Sequence, residues 1–433
     1  MIIFTSQITP RLQYIWNFIS HELTGKDVCI TEDTKFYVSQ SGLHINYSHQ
    51  RLLNNEFWIT PHQLLFERNI QQHEITCFEW NQLKVFFKTK GDIEFDIAAA
   101  SFYLMSRYEE YLPHQKDIYG RFAHENALAF KQQFLHRPIV NEWFMHFKQM
   151  LQSKDNTFQP IKKSFEWLPT YDIDEAYSFM YKTAGRRIGG IAKDFFKGNL
   201  KRIIQRQKVI NYKVSDPFDA YEWMDKLHQQ FQLSPKYFFL VAHKNGKYDK
   251  NILPDNPALI KLIQQHAEKY SVGIHPSWQS GNKISLLKKE INLLEKIVNK
   301  VIKASRQHFI RFTMPHTFRQ LIQNGISDDF SMGYGSINGF RASVASSFYW
   351  YDLEKEAITT LLIHPFCFMD ANSFYEQKQD ALTALNEMRT YYQTVKQVNG
   401  RFISIWHNTF LGTDEKFKGW REAYKTFANE MKA

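Results

Sequence analysis

Beyond residue 163 the chain alternates short apolar runs with longer amphipathic stretches, and this alternation most limits what it can fold into. The runs have four to eight apolar residues, as in KYFFLVAH, SVGIHPS, ITTLLIHPF and FISIWHN. Continuous apolar strands separated by helices are typical of a parallel sheet covered on both faces. Seven or eight such units in about 270 residues favour a βα barrel over a short doubly wound sheet. The predicted fold class is therefore α/β.

The preceding residues have a different pattern. Short strand-like pieces such as MIIFTS, KFYVSQ and LHINYS dominate the first 90 residues, and a longer helical stretch, DIAAASFYLMSRYEEYL, follows them. The polar segment SKDNTFQP then reads as a linker. We therefore predict a small α+β domain over residues 1–155 and a βα barrel over residues 163–433.

Most of the net charge lies in one segment. The chain carries 54 Lys and Arg against 44 Asp and Glu, a formal charge of +10, and residues 181–213 hold ten of the basic residues but only one acid, Asp194. Since the rest is nearly neutral, a nucleic-acid partner is not expected. The segment's apolar residues favour an anionic membrane surface or a lid over an anionic glycan, and a plain solvated face is the other interpretation.

The expected compartment is the cytoplasm. If the basic segment binds an anionic membrane surface, the protein is expected to be peripheral at the inner membrane. No apolar run approaches the length that spans a bilayer, and the first residues lack the pattern of a signal peptide. The three cysteines, Cys29, Cys77 and Cys367, are scattered, which fits a reducing environment.

Polar residues recur where the predicted strands end. Asp172 and Asp174 end the first strand of the predicted barrel, His275 ends the third, Arg311 lies in the fourth and His407 ends the last. The C-terminal strand ends carry the chemistry of βα barrels. A mixed set of Asp and His suits a divalent ion such as zinc, which activates water for hydrolysis of an amide or ester.

These residues resemble the polysaccharide deacetylases, carbohydrate esterase family four, and in particular a bacterial subfamily with an uncharacterised N-terminal domain. The similar stretches, from about Phe95 to Asn408, include TYDIDEAY, GIHPSW, SRQHFIRF, SMGYGSINGFRAS and IWHN. The resemblance implies a distorted (β/α)7 barrel with a divalent metal, usually zinc, held by one Asp and two His. Residues 1–90 resemble no family that we can name.

Carried over by position, the resemblance assigns each candidate residue a role. Asp172 corresponds to the catalytic base, His407 to the general acid and Arg311 to the arginine that orients the base. Asp174 and His275 correspond to metal ligands, and the second histidine ligand, four residues after the first, is replaced by Gln279.

Two functions follow from this assignment. The first is metal-dependent hydrolytic deacetylation of an N- or O-acetylated sugar in a polysaccharide or its precursor. The alternative is a catalytically inactive, deacetylase-like protein that binds carbohydrate or serves as a scaffold, which Gln279 favours because an amide oxygen is a weak zinc ligand. The sequence does not specify the glycan.

Overall fold

The computed structural model describes residues 1–431, except for the side chain of Asn282. Its strands are β1 Ile2–Thr5, β2 Cys29–Thr31, β3 His44–Tyr47, β4 Phe57–Ile59, β5 Phe78–Trp80, β6 Leu83–Val85, β7 Glu166–Ile173, β8 Lys236–Leu240, β9 Ser271–His275, β10 Ala304–Ser305, β11 Asp328–Asp329, β12 Phe348–Asp352, β13 Ala357–Ile363, β14 Phe368–Met369 and β15 Arg401–His407. Its α-helices are α1 Pro10–Thr24, α2 Thr34–Ser39, α3 Ile97–Met105, α4 Leu128–Lys131, α5 Ile139–Lys154, α6 Ala184–Phe196, α7 Leu200–Ile210, α8 Tyr221–Phe231, α9 Pro257–Lys269, α10 Ile284–Val298, α11 His316–Gln323, α12 Ala381–Gln397 and α13 Trp420–Met431.

The N-terminal residues form a four-stranded parallel sheet in the order β2-β1-β3-β4, with β5 and β6 as a separate hairpin. Its first helix has local signals at both ends. Thr9 caps α1 by accepting a hydrogen bond from the N–H of Leu12, and Pro10 occupies the first turn, where its missing N–H costs nothing. Gly25 ends the helix with a φ of 72°, a left-handed conformation that glycine adopts without strain.

The larger sheet has nine strands in the order β12-β13-β11-β10-β9-β8-β7-β15-β14. All pairs are parallel except β12 with β13. Within residues 1–431 the edge strands β12 and β14 do not pair with each other, so the predicted closure into a barrel is not seen. One reason is local: β12 turns back on β13 as an antiparallel hairpin and occupies that edge.

Most predicted helices of this part are present. The amphipathic stretches beyond residue 163 predict helices near 219–231, 256–270, 283–303, 316–324 and 378–397. Those near 219–231, 256–270, 316–324 and 378–397 correspond to α8, α9, α11 and α12, and α10 covers much of 283–303. The apolar residues of these helices recur with the 3.6-residue period of a helix, so they lie on one side, and this side faces the sheet. None of the helices in residues 1–431 is both long and apolar enough to cross a membrane.

Three strand predictions were wrong. KFYVSQ forms part of α2, since Asp33 accepts hydrogen bonds from the N–H groups of Lys35 and Phe36 and so caps a helix. The apolar pattern also predicts strands at HFIRFTM and at the FRAS segment. HFIRFTM lies beyond β10, which ends at Ser305, and the FRAS segment forms no strand.

The N-terminal part packs on the large sheet through one continuous apolar core. A buried ionic network crosses the same boundary: Glu110 accepts hydrogen bonds from Arg107 and Arg341, and Arg107 also donates to the backbone carbonyl of Arg341. Burial opposes ionisation of Glu110, but the two guanidinium groups lower its pKa to about 2.

Candidate metal centre

Three strands of the large sheet, β7, β9 and β15, carry site residues at their carboxyl ends. Asp172 lies on β7, with Asp174 directly after it, while His275 ends β9 and His407 ends β15. The register pairs Asp172 with His407 across β7 and β15. Because the strands are parallel, their carboxyl ends share one edge and bring these side chains together.

One group of side chains could hold a metal ion. Ligand atoms of Asp174, His275 and His308 all lie within 4.8 Å of one another. Nε2 of His275 is 3.1 Å from Oδ1 of Asp174, and Nε2 of His308 is 3.4 Å from Oδ2. One carboxylate and two imidazoles form a donor set suited to zinc and similar divalent ions.

The second nitrogen of each imidazole explains why the group fits a cation. Nδ1 of His275 lies 2.6 Å from the backbone oxygen of Arg306, and Nδ1 of His308 lies 3.1 Å from Oδ1 of Asp249. Both partners accept hydrogen bonds, so each Nδ1 carries the donated proton and Nε2 of each ring faces Asp174. Oδ1 of Asp174 is buried without a hydrogen-bond partner. In metal-binding histidines the ligating nitrogens usually converge on one point, while the other nitrogen of each ring is held by a hydrogen bond in this way.

The second carboxylate, Asp172, is held by an arginine. Nη1 of Arg306 donates to Oδ1 of Asp172 over 2.8 Å, and Oδ2 of Asp172 lies 3.9 Å from Nε2 of His275. Arg306 is fully buried, its Nε donates to the backbone oxygen of Phe330, and its guanidinium lies 4.4 Å from the ring centre of Phe238. The geometry fixes one oxygen of Asp172 and points the other towards the candidate metal group.

His407 lies on the other flank of Asp174 and has its own carboxylate partner. Nδ1 of His407 is 2.6 Å from Oδ1 of Asp370, whose Oδ2 accepts the N–H of His407 over 2.7 Å. Nε2 of His407 lies 3.6 Å from Oδ2 of Asp174. The pair with Asp370 therefore sets the orientation of the imidazole and leaves Nε2 facing the group.

The charges shift the titration of these groups in the direction expected for ion pairs. Although burial disfavours the charged forms, the imidazoles of His308 and His275 hold the pKa of Asp174 well below its usual range. Against the same effect of burial, Asp174 and Asp249 raise the pKa of His308 to about 9, and Asp370 and Asp174 raise that of His407 to about 10.

Two predicted site residues lie elsewhere. Nε2 of Gln279 donates to the backbone oxygen of Lys244 and to Oδ2 of Asp249, so its amide supports the partner of His308 rather than joining the group. The guanidinium of Arg311 lies 4.4 Å from the ring centre of Trp278. The assignment of Arg311 needs correction because β10 ends at Ser305, so that Arg306 and His308, not Arg311, follow the strand end.

Sequence reasoning missed four supporting residues: Arg306, His308, Asp249 and Asp370. A signal for the first two was present in SRQH, where an arginine and a histidine stand two residues apart after an apolar-to-polar change. Asp249 lies in a loop and Asp370 directly follows β14, and they are 59 and 37 residues along the chain from their histidine partners, respectively. No local pattern identifies such pairs.

Four half-buried rings form an aromatic wall beside the centre: Tyr119, Tyr248, Trp278 and Phe309. The ring centres of Tyr248 and Trp278 are 4.1 Å apart, and Phe309 lies 5.4 Å from Tyr119 and 4.7 Å from the ring of His308. Tyr119 comes from the N-terminal part, where Arg121 donates to the backbone oxygen of Phe309 over 2.8 Å. Residues before 156 thus contribute to the surroundings of the centre.

Residues 1–156 match a family of unknown function, DUF7033. No curated protein sequence matches the chain. Among solved structures, similarity is found to a protein from Mycobacterium smegmatis described as a polysaccharide deacetylase, with 14% identity, 64% of this chain and 86% of the other covered, and a TM-score of 0.41.

Two further structures are similar over nearly the same share of the chain. A Puue allantoinase has 10% identity, covers 63% of this chain and 86% of its own, and has a TM-score of 0.40. A polysaccharide deacetylase from Bacillus cereus has 10% identity, covers 62% of this chain and 89% of its own, and has a TM-score of 0.31.

Proposed function

We propose that this chain is a metal-dependent hydrolase that removes an acetyl group from an N- or O-acetylated sugar of a polysaccharide or its precursor. The observation that carries the proposal is the convergence of Asp174, His275 and His308 between a held carboxylate, Asp172, and a held imidazole, His407. This set supplies ligands, a base and an acid within one edge of the sheet. The distorted (β/α)7 barrel, which the resemblance to polysaccharide deacetylases implies, remains a prediction.

Asp174, His275 and His308 would hold the ion, for which zinc is our proposal because the donors are one carboxylate and two imidazoles. A divalent cation bound there supplies Lewis-acid chemistry, polarising the acyl carbonyl and lowering the pKa of water. The hydrogen bonds from His275 and His308 to Arg306 and Asp249 fix both rings.

Asp172 serves as the base. Its Oδ1 is engaged by Arg306, and Oδ2 remains directed at the centre to take a proton from the attacking water. Arg306 acts through Asp172, as a positioning residue.

His407 serves as the acid. Asp370 favours the protonated imidazole and orients it, so that Nε2 delivers a proton to the departing amine or alkoxide of the sugar. The aromatic wall offers ring faces on which a sugar packs next to the centre.

The binding-only alternative loses its main support. It was favoured by Gln279 at the expected position of the second histidine, but His308 offers an imidazole from another strand end. A missing ligand is therefore no argument for an inactive site.

Metal analysis of purified variants tests the proposal directly. We expect the wild-type protein to bind zinc with about one ion per chain, and Asp174→Asn and His308→Gln to lose it because each removes one of three donors. Gln279→Ala is the matched control and should keep the metal. Acetate release from an N-acetylated chito-oligosaccharide or an O-acetylated xylan should follow the metal content. Equal metal content in His308→Gln and wild type would refute the assignment.

A further inference from the structure

Two helices of the basic segment, α6 and α7, carry an unusual share of exposed apolar surface. Eight of the 19 exposed large hydrophobic side chains of residues 1–431 fall within residues 188–214. They are Ile188, Ile191, Phe195, Phe196, Leu200, Ile204, Tyr212 and Val214. Phe196 is 87% exposed and Ile188 68% exposed, values far from those of side chains that pack on a neighbouring element. Clustered exposed apolar residues mark an interaction surface.

The spacing of these residues places them on one side of the helices. Ile188, Ile191 and Phe195 follow each other at intervals of three and four residues on α6, and Leu200 and Ile204 are four apart on α7. Residues at such intervals share a helix face. The outward faces of α6 and α7 are therefore apolar.

Exposed lysines surround this apolar surface. Lys193, Lys197, Lys201, Lys208 and Lys213 are all exposed, and no acidic side chain within the described part of the chain lies within ion-pair distance of them. Apolar side chains bordered by lysines complement a bilayer whose headgroups are negatively charged. A second copy of this chain, which carries the same positive charge at this surface, is a poor match.

The arginines of the segment have a different role, which is to join α7 to α6 and to the body of the protein. Arg206 and Arg202 pair with Asp194, Arg202 also pairs with Asp414, and the guanidinium of Arg206 lies 4.6 Å from the ring centre of Phe179. A Cβ on Gly190 would lie 2.7 Å from Nη1 of Arg206, so α6 and α7 are in close contact there. The apolar surface therefore belongs to a packed pair of helices.

The base of this pair stands next to the candidate metal centre. Lys182, which precedes α6, lies 3.3 Å from Glu175, the residue after Asp174. Arg186 on α6 donates to the backbone oxygens of Lys250 and Asn251, and the side chain of Asn251 donates to the backbone oxygen of Ile173 at the end of β7. A surface that receives α6 and α7 would thus lie on the same side of the molecule as the centre.

We propose that α6 and α7 dock the protein on a bilayer containing anionic lipid. Phe195, Phe196 and their apolar neighbours enter the headgroup region, and the exposed lysines bind the lipid charges. The inference is independent of the proposed hydrolysis, because it rests on exposed residues that do not contribute to the centre.

Sedimentation of the full-length protein with vesicles tests this docking. We expect it to pellet with vesicles of phosphatidylcholine and phosphatidylglycerol and to remain in the supernatant with phosphatidylcholine alone. Changing Lys197→Gln and Lys201→Gln together should weaken the affinity by about fivefold for each lysine, and added salt should weaken binding of the wild-type protein.

A second set of variants separates the apolar contribution. Phe195→Ser with Phe196→Ser should abolish pelleting, whereas Leu382→Ser, which changes a side chain of the same 64% exposure as Phe195 on α12, should not. Circular dichroism checks that all variants are folded. Asp174→Asn should pellet like wild type even if metal and activity are lost, which keeps the two proposals distinguishable.

Three results would overturn the proposal: no pelleting with the anionic vesicles, equal pelleting with neutral ones, or unchanged pelleting of Phe195→Ser with Phe196→Ser. A wild-type dimer in gel filtration that this double variant converts to a monomer, without any binding to vesicles, would assign the surface to self-association instead.

Discussion

Arg306 and Arg311 are five residues apart and differ in what surrounds them. Arg306 is fully buried, with its guanidinium on Asp172 and over the ring of Phe238, while Arg311 is partly exposed and packs on Trp278. A guanidinium that bonds a carboxylate and a backbone oxygen at once cannot be replaced by the single ammonium of lysine. Position relative to the end of β10 is what separates the two residues.

Arg306→Lys should therefore lower kcat of the proposed hydrolysis by about 100-fold, the usual effect of disturbing a general base. Steady-state acetate release measures it, and metal content should stay at the wild-type level because Arg306 is no ligand. Arg311→Lys is the matched control, with an expected change of less than about threefold. If the two variants lost activity equally, the assignment of Arg306 to Asp172 would be wrong.

Asp370 is a second residue whose importance is evident only from its contact with His407. Asp370→Asn keeps the size of the side chain but removes the charge that favours protonated His407 and one of the two oxygens that accept its N–H groups. We expect kcat to fall about 100-fold with an unchanged KM. Steady-state kinetics with the same sugar substrate gives both constants, and a rise in KM alone would contradict the role.

At the scale of elements, the loops that follow the strands define the surroundings of the centre. Trp278 follows β9, Tyr248 follows β8 and Phe309 follows β10, whereas Tyr119 enters from the segment between α3 and α4. Hydrogen bonding of Arg121 to Phe309 joins this segment to the loop after β10. Because the N-terminal part contributes to the surroundings of the centre, we expect it to affect substrate binding in the proposed reaction.

Tyr119→Ala should raise KM for an acetylated oligosaccharide by about five- to tenfold, since one ring stacking contact contributes roughly 1 kcal/mol, and leave kcat unchanged. A comparison of a monosaccharide with an oligosaccharide should locate the loss in the longer substrate. Tyr349→Ala, which removes an exposed ring on β12, is the control. Equal loss for both sugars would contradict stacking along a chain.

A buried histidine between helix and sheet predicts sensitivity to acid. His228 of α8 lies 2.7 Å from the hydroxyl of Tyr171 on β7, and burial lowers its pKa to about 4. The unfolded chain binds a proton near pH 6.5 and the folded chain only near pH 4, so stability present above pH 6.5 is lost as pH falls to 4. This group contributes up to about 3 kcal/mol to that loss.

Urea unfolding between pH 7 and 4 tests this prediction, because it measures the slope of the unfolding free energy against pH. His228→Gln should show a weaker decline of the unfolding free energy than wild type, because glutamine does not titrate. His21→Gln, at an exposed position, should retain the wild-type slope. Identical slopes for wild type and His228→Gln would remove His228 from the explanation.

At the scale of the whole molecule, the N-terminal part and the large sheet share one core and one ionic network. Glu110 lies buried between Arg107 and Arg341, one from each part. Glu110→Gln removes the counter-charge of Arg341 and one of the two carboxylate partners of Arg107, which keeps Glu109, and should lower the unfolding free energy by about 3 kcal/mol. Urea unfolding measures it, with Glu125→Gln, an exposed carboxylate, as the control.

Much of this architecture follows from the sequence by itself. The alternation beyond residue 163 predicted a parallel sheet with helices, and the positions of Asp172, Asp174, His275 and His407 at strand ends were evident without coordinates. Such features depend on hydrophobic periodicity and on local polar residues, which a stretch of chain carries within itself.

Only the tertiary structure decided which side chains meet. It brought His308 rather than Gln279 to Asp174, gave Arg306 rather than Arg311 to Asp172, and paired Asp249 and Asp370 with the histidines. It also left the large sheet with two unpaired edges among residues 1–431, where the sequence favoured a closed barrel. These outcomes depend on where each short strand ends and on its register with neighbours distant in the chain, and local periodicity carries no information about either.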